Sequence, residues 1–283
     1  MKVSCLPVSL FKEIISGSMS FQDWCLAAKQ CGLDGIDISM SFIANHSPVY
    51  LESIKQILAD EDVQIIMATA YPDFTHPSKI QRDREMAYFV RDIAVCAELK
   101  IKYLRVLAGQ AHPETSISDG INLAIENIRN ASKTADHFGV QLLYENHSKP
   151  SAWKYSDFSY PPDIFLTIVR GIWDTSTGIN FDTGNFIAFG CDPLPILEKV
   201  LPKIETIHIS DMKEYGTFSP VLIGTGIVPL KPIFQLLKEN NFDKWFCIEE
   251  ASFSGLQGIQ LAVQATRKIW EEATGGVQVE HKP

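Results

Sequence analysis

LLYENH (142–147), GINFDTGN (178–185), ETIHISDMK (205–213) and KWFCIEEAS (244–252) share one construction: an apolar run that stops abruptly at an acid or an imidazole. The stopping residues are Glu145, Asp182, His208 and Glu249. Each is separated from the next by about the length of a strand, a helix and two loops, so successive βα units would each donate one side chain. In a closed parallel barrel every strand C-terminus opens on the same face. The spacing therefore predicts an α/β fold, a (β/α)8 TIM barrel, with these four side chains converging at its mouth.

The rest of the chain repeats the same rhythm. Strand-like runs start near Val3, Gly35, Val63, Tyr103, Val140, Ile179, Ile204 and Trp245, short and apolar as expected of strands covered on both faces. Between them lie helical periods. Over 79–99, Met86, Phe89, Val90, Ile93, Ala94 and Ala97 form one apolar stripe. Over 118–138 the inward set is Ile121, Ala124, Ile125, Ile128, Ala131, Ala135 and Phe138, with Asp119 placed to suit the helix dipole. Gly32 and Gly139 each end a helical pattern before a strand. An open doubly wound sheet would share this alternation, but it would scatter ligands borne on strands five to eight. GTG at 224–226 lacks a dinucleotide-binding context and reads as a loop turn. Residues 1–274 are expected to form one domain, with 275–283 a C-terminal tail.

Composition narrows the function. A chain of 283 residues fits a single barrel of about 250. A net charge of −9 and no basic cluster disfavour nucleic acid as a partner. No stretch approaches the roughly 20 apolar residues of a membrane span, and no leader-like segment opens the chain. The six cysteines lack CxxC spacing and mostly sit in apolar runs, as buried thiols of a reducing compartment do. The expected location is the cytoplasm. A homo-oligomer is compatible with all of this.

Three carboxylates and one imidazole suit a single divalent ion, Mn²⁺, Mg²⁺ or Co²⁺ by preference, with Zn²⁺ also compatible. Such an ion, bound by the adjacent oxygens of a hydroxy-ketone, polarises the carbonyl and acidifies the neighbouring C–H. A carboxylate within reach could then take the proton through an enediolate. Only one of Glu249 and Glu250 can face the mouth, because side chains alternate along a strand; Glu249 is the choice.

With FDTGN (181–185), HISD (208–211), IEE (248–250) and ENH (145–147), nearly the whole chain resembles the xylose-isomerase-like barrel superfamily. That superfamily comprises sugar and sugar-phosphate isomerases and epimerases, with inosose dehydratases and the endonuclease IV family among its relatives. The resemblance implies one divalent metal held by Glu145, Asp182, His208 and Glu249, and, as in ketose epimerases, proton transfer by Glu145 and Glu249. Some positions depart from the pattern. The ketose 3-epimerase histidine three residues past the metal aspartate is Asn185 here, its second glutamate is Ser151, and its arginine six residues past the metal histidine is Glu214. Asn185 also removes a ligand that the nucleases need. The resemblance thus implies a sugar isomerase or epimerase, with an inosose-type dehydratase as the rival and an inactive carbohydrate-binding barrel as a third alternative.

Further candidates for substrate contact are His147, Asn185, Lys213, Arg105 and Trp153. Each has a structural alternative: a hydrogen-bonded strand end for His147, orientation of Asp182 for Asn185, a surface charge for Lys213, and pairing with a barrel carboxylate for Arg105. Asp37 and His76 are assigned no role. The segment 146–160, NHSKPSAWKYSDFSY, is long for a βα connection and carries Trp153, Tyr155, Phe158 and Tyr160. It is expected to be either a lid over a sugar ring or a subunit interface.

Overall fold

A computed structural model describes residues 1–275. Eight strands run parallel: β1 (Lys2–Leu6), β2 (Ile36–Ser39), β3 (Ile65–Thr69), β4 (Tyr103–Val106), β5 (Gln141–Glu145), β6 (Gly178–Asp182), β7 (Ile204–Ile209) and β8 (Trp245–Glu249). They pair in chain order from β2 through to β8, and β8 pairs with β1. Helices lie between them, so the sheet forms a nearly closed (β/α)8 barrel. At the seam between β1 and β2 a ladder is replaced by three bonds: Val3 N donates to Asp34 Oδ2 (2.8 Å), Asp34 N donates to Val3 O (2.8 Å), and Ser4 Oγ donates to Asp37 Oδ2 (2.8 Å).

Two apolar clusters divide the interior. The large one fills the space between sheet and helices, and Leu104, Tyr144, Phe181, Ile207 and Ile248 belong to it or face it. The small one joins Met67, Tyr103, Leu143 and Cys247 and forms a floor inside the barrel. Two residues further along each strand the same face is presented again. Tyr103 is thus followed by Arg105, Leu143 by Glu145 and Cys247 by Glu249, and the apolar floor gives way to buried charge. A barrel interior is ordinarily filled by bulky branched residues. Here its upper layers hold Thr69, Arg105, Glu145, Asn180, Thr206 and His208, all at most 1% exposed.

Of the three longest helices, Lys79–Glu98, Ile117–Phe138 and Gly255–Thr274, the first two cover the periodic stretches of the sequence. Ser116 caps the second by accepting from Asp119 N, and Gly139 closes it at φ 71°, a conformation costly for any residue with a Cβ. In the first helix the buried line is Phe89, Ile93, Val95 and Cys96, while Met86, Val90, Ala94 and Ala97 are half-buried. The apolar stripe is therefore rotated toward Cys96 relative to the sequence expectation. Phe138, expected inward, is 43% exposed because the second helix ends there, beyond the packed face. All six cysteines are free. Among the described residues no helix is long and apolar enough to cross a membrane. The expected tail falls, beyond Gly275, outside the described residues.

Candidate active site

β5, β6, β7 and β8 carry Glu145, Asp182, His208 and Glu249 to one point, and each offers a donor atom within 4.8 Å of the others. Strand register does this. Asp182 lies beside His208, and His208 beside Cys247, two residues below Glu249. His208 Nδ1 is 2.6 Å from Glu145 Oε1 and 3.0 Å from Glu249 Oε2. These are charge contacts rather than aligned hydrogen bonds.

Glu145 is fully buried and held from three sides. Asn180 Nδ2 donates to its Oε1 at 2.8 Å, Thr206 Oγ1 donates to Asn180 Oδ1 at 2.7 Å, and Arg105 Nε stands 3.1 Å from its Oε2. Burial raises the Glu145 carboxyl, but His208 and then Arg105 outweigh it and bring it down to about 2. The guanidinium of Arg105 lies over the Tyr71 ring at 4.5 Å. The Glu249 side chain retains 18% exposure and stands at the open side of the site.

Asp182 is fixed through one oxygen. Its Oδ1 accepts from Gly184 N (2.9 Å), Asn185 N (2.7 Å) and Ser210 Oγ (2.9 Å). Its Oδ2 is buried with no hydrogen-bond partner among the described residues. The Asn146 side chain extends the ladder past the end of β5, donating from Nδ2 to Asp182 O (2.9 Å) and accepting at Oδ1 from Asp182 N (2.8 Å). Burial, with Glu249 and Glu145 nearby, pushes the Asp182 carboxyl well above its ordinary range. The His208 imidazole is also pushed up: burial opposes its charge, but Glu145 and Glu249 overcome that. A buried oxygen without a partner, set in surplus negative charge, is what a divalent cation satisfies. The donor set fits such an ion.

The remaining sequence candidates are placed as follows. Arg105 is paired with Glu145. Asn185 orients Asp182 through its backbone, and its side chain donates to Asn146 O at 3.1 Å, yet it also lines the mouth. His147 is 8% exposed beside the cluster, and burial chiefly, then Arg105, brings its imidazole down to about 4 against the opposing pull of Glu145. It is neutral at pH 7. Lys213 is exposed, with its backbone N bonded to Ser219 O. Glu250 faces away from the cluster: Ser252 N donates to its Oε1 at 2.9 Å, and Ser252 Oγ also contacts that oxygen closely.

Trp153 and Phe158 are buried, and the segment 146–160 is moored to the loop after β4. Ala111 N donates to Ser156 O (2.9 Å) and Phe158 N to Gly109 O (2.8 Å), while Gln110 Oε1 accepts from Lys154 N (2.8 Å) and Tyr155 N (3.1 Å). Sequence reasoning did not single out Asn146, Asn180, Thr206 or Ser210. Asn180 and Thr206 were findable, since each lies two residues before a candidate ligand on the same strand face.

Relatives can now be compared with this geometry. A model of the xylose isomerase-like TIM barrel matches residues 25–272. The chain belongs to that family. Within the xylose isomerase-like family it is 28% identical to an inosose dehydratase of Clostridium tetani over 269 residues, covering 82% of this chain and 84% of that protein. The fold is similar to that of a D-tagatose 3-epimerase-like protein, with a TM-score of 0.80 and 17% identity over 97% of this chain and 99% of the other. It is also similar to an IolI protein bearing a zinc atom, with a TM-score of 0.79 and 18% identity over 98% and 100% of the two chains.

Proposed function

We propose that this protein is a divalent-metal-dependent enzyme that moves a proton next to the carbonyl of a small sugar-like ketone, as an isomerase or epimerase. The convergence of Glu145, Asp182, His208 and Glu249 at one point carries this reading. A divalent cation held by these residues would polarise a substrate carbonyl and make the adjacent C–H acidic. The mouth beside the cluster is lined by Asp182, Asn185, Ser210 and Glu249 together with Met212 and Phe218.

In this reading Glu249, whose side chain keeps 18% exposure, accepts the C–H proton. The electron pair left on carbon is delocalised into the carbonyl as an enediolate. Glu249 can return the proton to the neighbouring carbon while the hydroxyl proton passes between the two oxygens, which moves the carbonyl; inversion of the carbon would take a proton that Glu145 first accepts from water and then delivers from the other carboxylate position, with Glu249 releasing its own to solvent. Asp182 and His208 act as ligands only. Arg105 and Asn180 fix the orientation of Glu145. His147, Asn185 and Trp153 would line the substrate's surroundings.

A second reading is dehydration: after the same proton abstraction, a β-hydroxyl leaves with a proton as water. The 28% identity to an inosose dehydratase supports it. So do Asn185 and Ser151, which stand where ketose 3-epimerases carry histidine and glutamate.

Incubation of Mn²⁺-loaded protein with ketoses and inososes in D₂O, followed by NMR, tests both readings. Deuterium incorporation with a new isomer is the expected result, and an absorbing enone with loss of water identifies the lyase. No exchange with any member of the panel refutes the proposal.

A further inference from the structure

Asp211 lies three residues past His208, is 2% exposed, and does not reach the ligand cluster. Its carboxylate is instead the centre of the loop that follows β7. Oδ1 accepts from Met212 N (3.0 Å) and Val228 N (3.1 Å), and Oδ2 accepts from Gly224 N (2.9 Å) and Gly226 N (2.8 Å). Four backbone donors from the irregular chain 212–228 thus converge on one side chain. The GTG turn at 224–226 has its physical reason here. A Cβ at Gly226 would overlap the Asp211 carboxylate and the Met212 carbonyl, and Gly224 sits at φ 85°.

The backbone of Asp211 secures the other half of the loop. Its carbonyl accepts from Val221 N (3.0 Å), Met212 pairs with Pro220, and Met212 O accepts from Ile227 N (2.8 Å). The segment so held puts Met212, Phe218, Pro220 and Val221 in the lining of the cleft that Asp182 and Glu249 also line. Phe218 is 54% exposed there, an aromatic surface held open at the mouth. An apolar wall in the same cleft as a carboxylate cluster matches a polyhydroxy ring, whose oxygens would turn toward the acids and whose C–H face would lie on the aromatic.

We infer that Asp211 is a positioning residue for substrate, acting through the loop to set the apolar wall on which the substrate's C–H face packs. The inference rests on the proposed function for the identity of the ligand, but its chemistry is binding rather than proton transfer. Losing the wall removes contacts made equally in ground and transition states, which raises KM and leaves kcat in place.

The test uses full-length Asp211→Ala, Gly226→Ala and Phe218→Ala proteins, with an inosose and D-tagatose as probes. Expected are Mn²⁺ affinity within about twofold of wild type, KM raised about tenfold or more, and kcat within about threefold in each variant. Should Asp211→Ala fail to fold, Gly226→Ala and Phe218→Ala decide, since they disturb the same contact and the same wall from other positions. Unchanged KM in the folded variants overturns the inference, as does a loss of Mn²⁺ affinity equal to the loss of substrate affinity. If wild type binds a probe without exchanging its proton, the proton-transfer reading fails and the wall is judged by the dissociation constants instead. If neither probe binds wild type, both fail.

Discussion

Replacing Arg105 with Met tests the electrostatic construction of the site without touching a proposed ligand. Arg105 and Glu145 are 2% and 0% exposed, with Nε and Oε2 3.1 Å apart. Removing one member of a buried pair leaves a charge in a medium that cannot solvate it, at a cost of about 3–5 kcal/mol. At roughly 2 °C per kcal/mol for a chain of this size, the metal-free protein should melt about 6–10 °C lower at pH 7. The assay is calorimetry in chelator with Arg105→Met, Glu145→Gln and the double variant. The double variant should recover part of the loss, with a coupling of about 1–3 kcal/mol. The pH dependence has a definite sign. Glu145 is held down to about 2 in the folded protein, below its ordinary value near 4.3, so its stabilisation is present above about pH 4 and is lost as pH falls toward 2. The gap between wild type and Arg105→Met should therefore close over that interval. Single variants that add within about 0.5 kcal/mol would refute the reasoning.

Glu249→Gln should lower turnover by about 10²–10⁴ while leaving the melting temperature close to wild type, and Glu145→Gln should do the same with some loss of stability; near-normal exchange of substrate protons in either variant sinks the acid/base assignment. Asn146→Ala removes both bonds that tie the Asp182 backbone to β5, so Mn²⁺ affinity should fall about 10–100-fold by titration calorimetry, and unchanged affinity would show that Asp182 is held without it. Mn²⁺ binding near pH 6–7 should release protons, because Asp182 and His208 are both pushed well above their ordinary ranges in the ion-free site and must give up protons to act as ligands. Measured binding heats should then scale with buffer ionisation heat and affinity should weaken toward acid pH; a buffer-independent heat contradicts this.

The strand ends were legible because each candidate ligand closes an apolar run, and a parallel strand has only one end at which a polar side chain can meet the mouth. Seven of the eight expected starts fall within one residue of the observed strands; the eighth, Val63, misses β3 by two, since Asp62 and Val63 complete a turn in which Asp62 takes φ 51°. Arg105 was legible as a residue near a strand end, but its partner was not. Whether a barrel-facing arginine meets substrate or a carboxylate depends on the stagger between β4 and β5, which pairs Arg105 with Leu143 and leaves Glu145 one step above. The aromatic segment 146–160 looked long in sequence and was expected to be a lid or a subunit interface. It is held because Gln110 and Gly109 lie across from it, and no local pattern announces a contact between loops some forty residues apart.

The charge balance of the buried site also accounts for the kind of ion it would take. Glu145, Asp182 and Glu249 bring three negative charges and Arg105 returns one positive, so a neutral His208 leaves a surplus of two. Without an ion, burial and then Glu249 and Glu145 push Asp182 up, Glu145 and Glu249 push His208 up against burial, and Glu145 is pulled down by His208 and then Arg105. A divalent cation cancels the surplus with His208 neutral and all three carboxylates ionised. A monovalent ion would leave one buried charge uncompensated, and loss of Arg105 would leave one even with a divalent ion bound. Arg105 would thus serve a bound ion as well as Glu145, by letting a three-carboxylate set close on a charge of two.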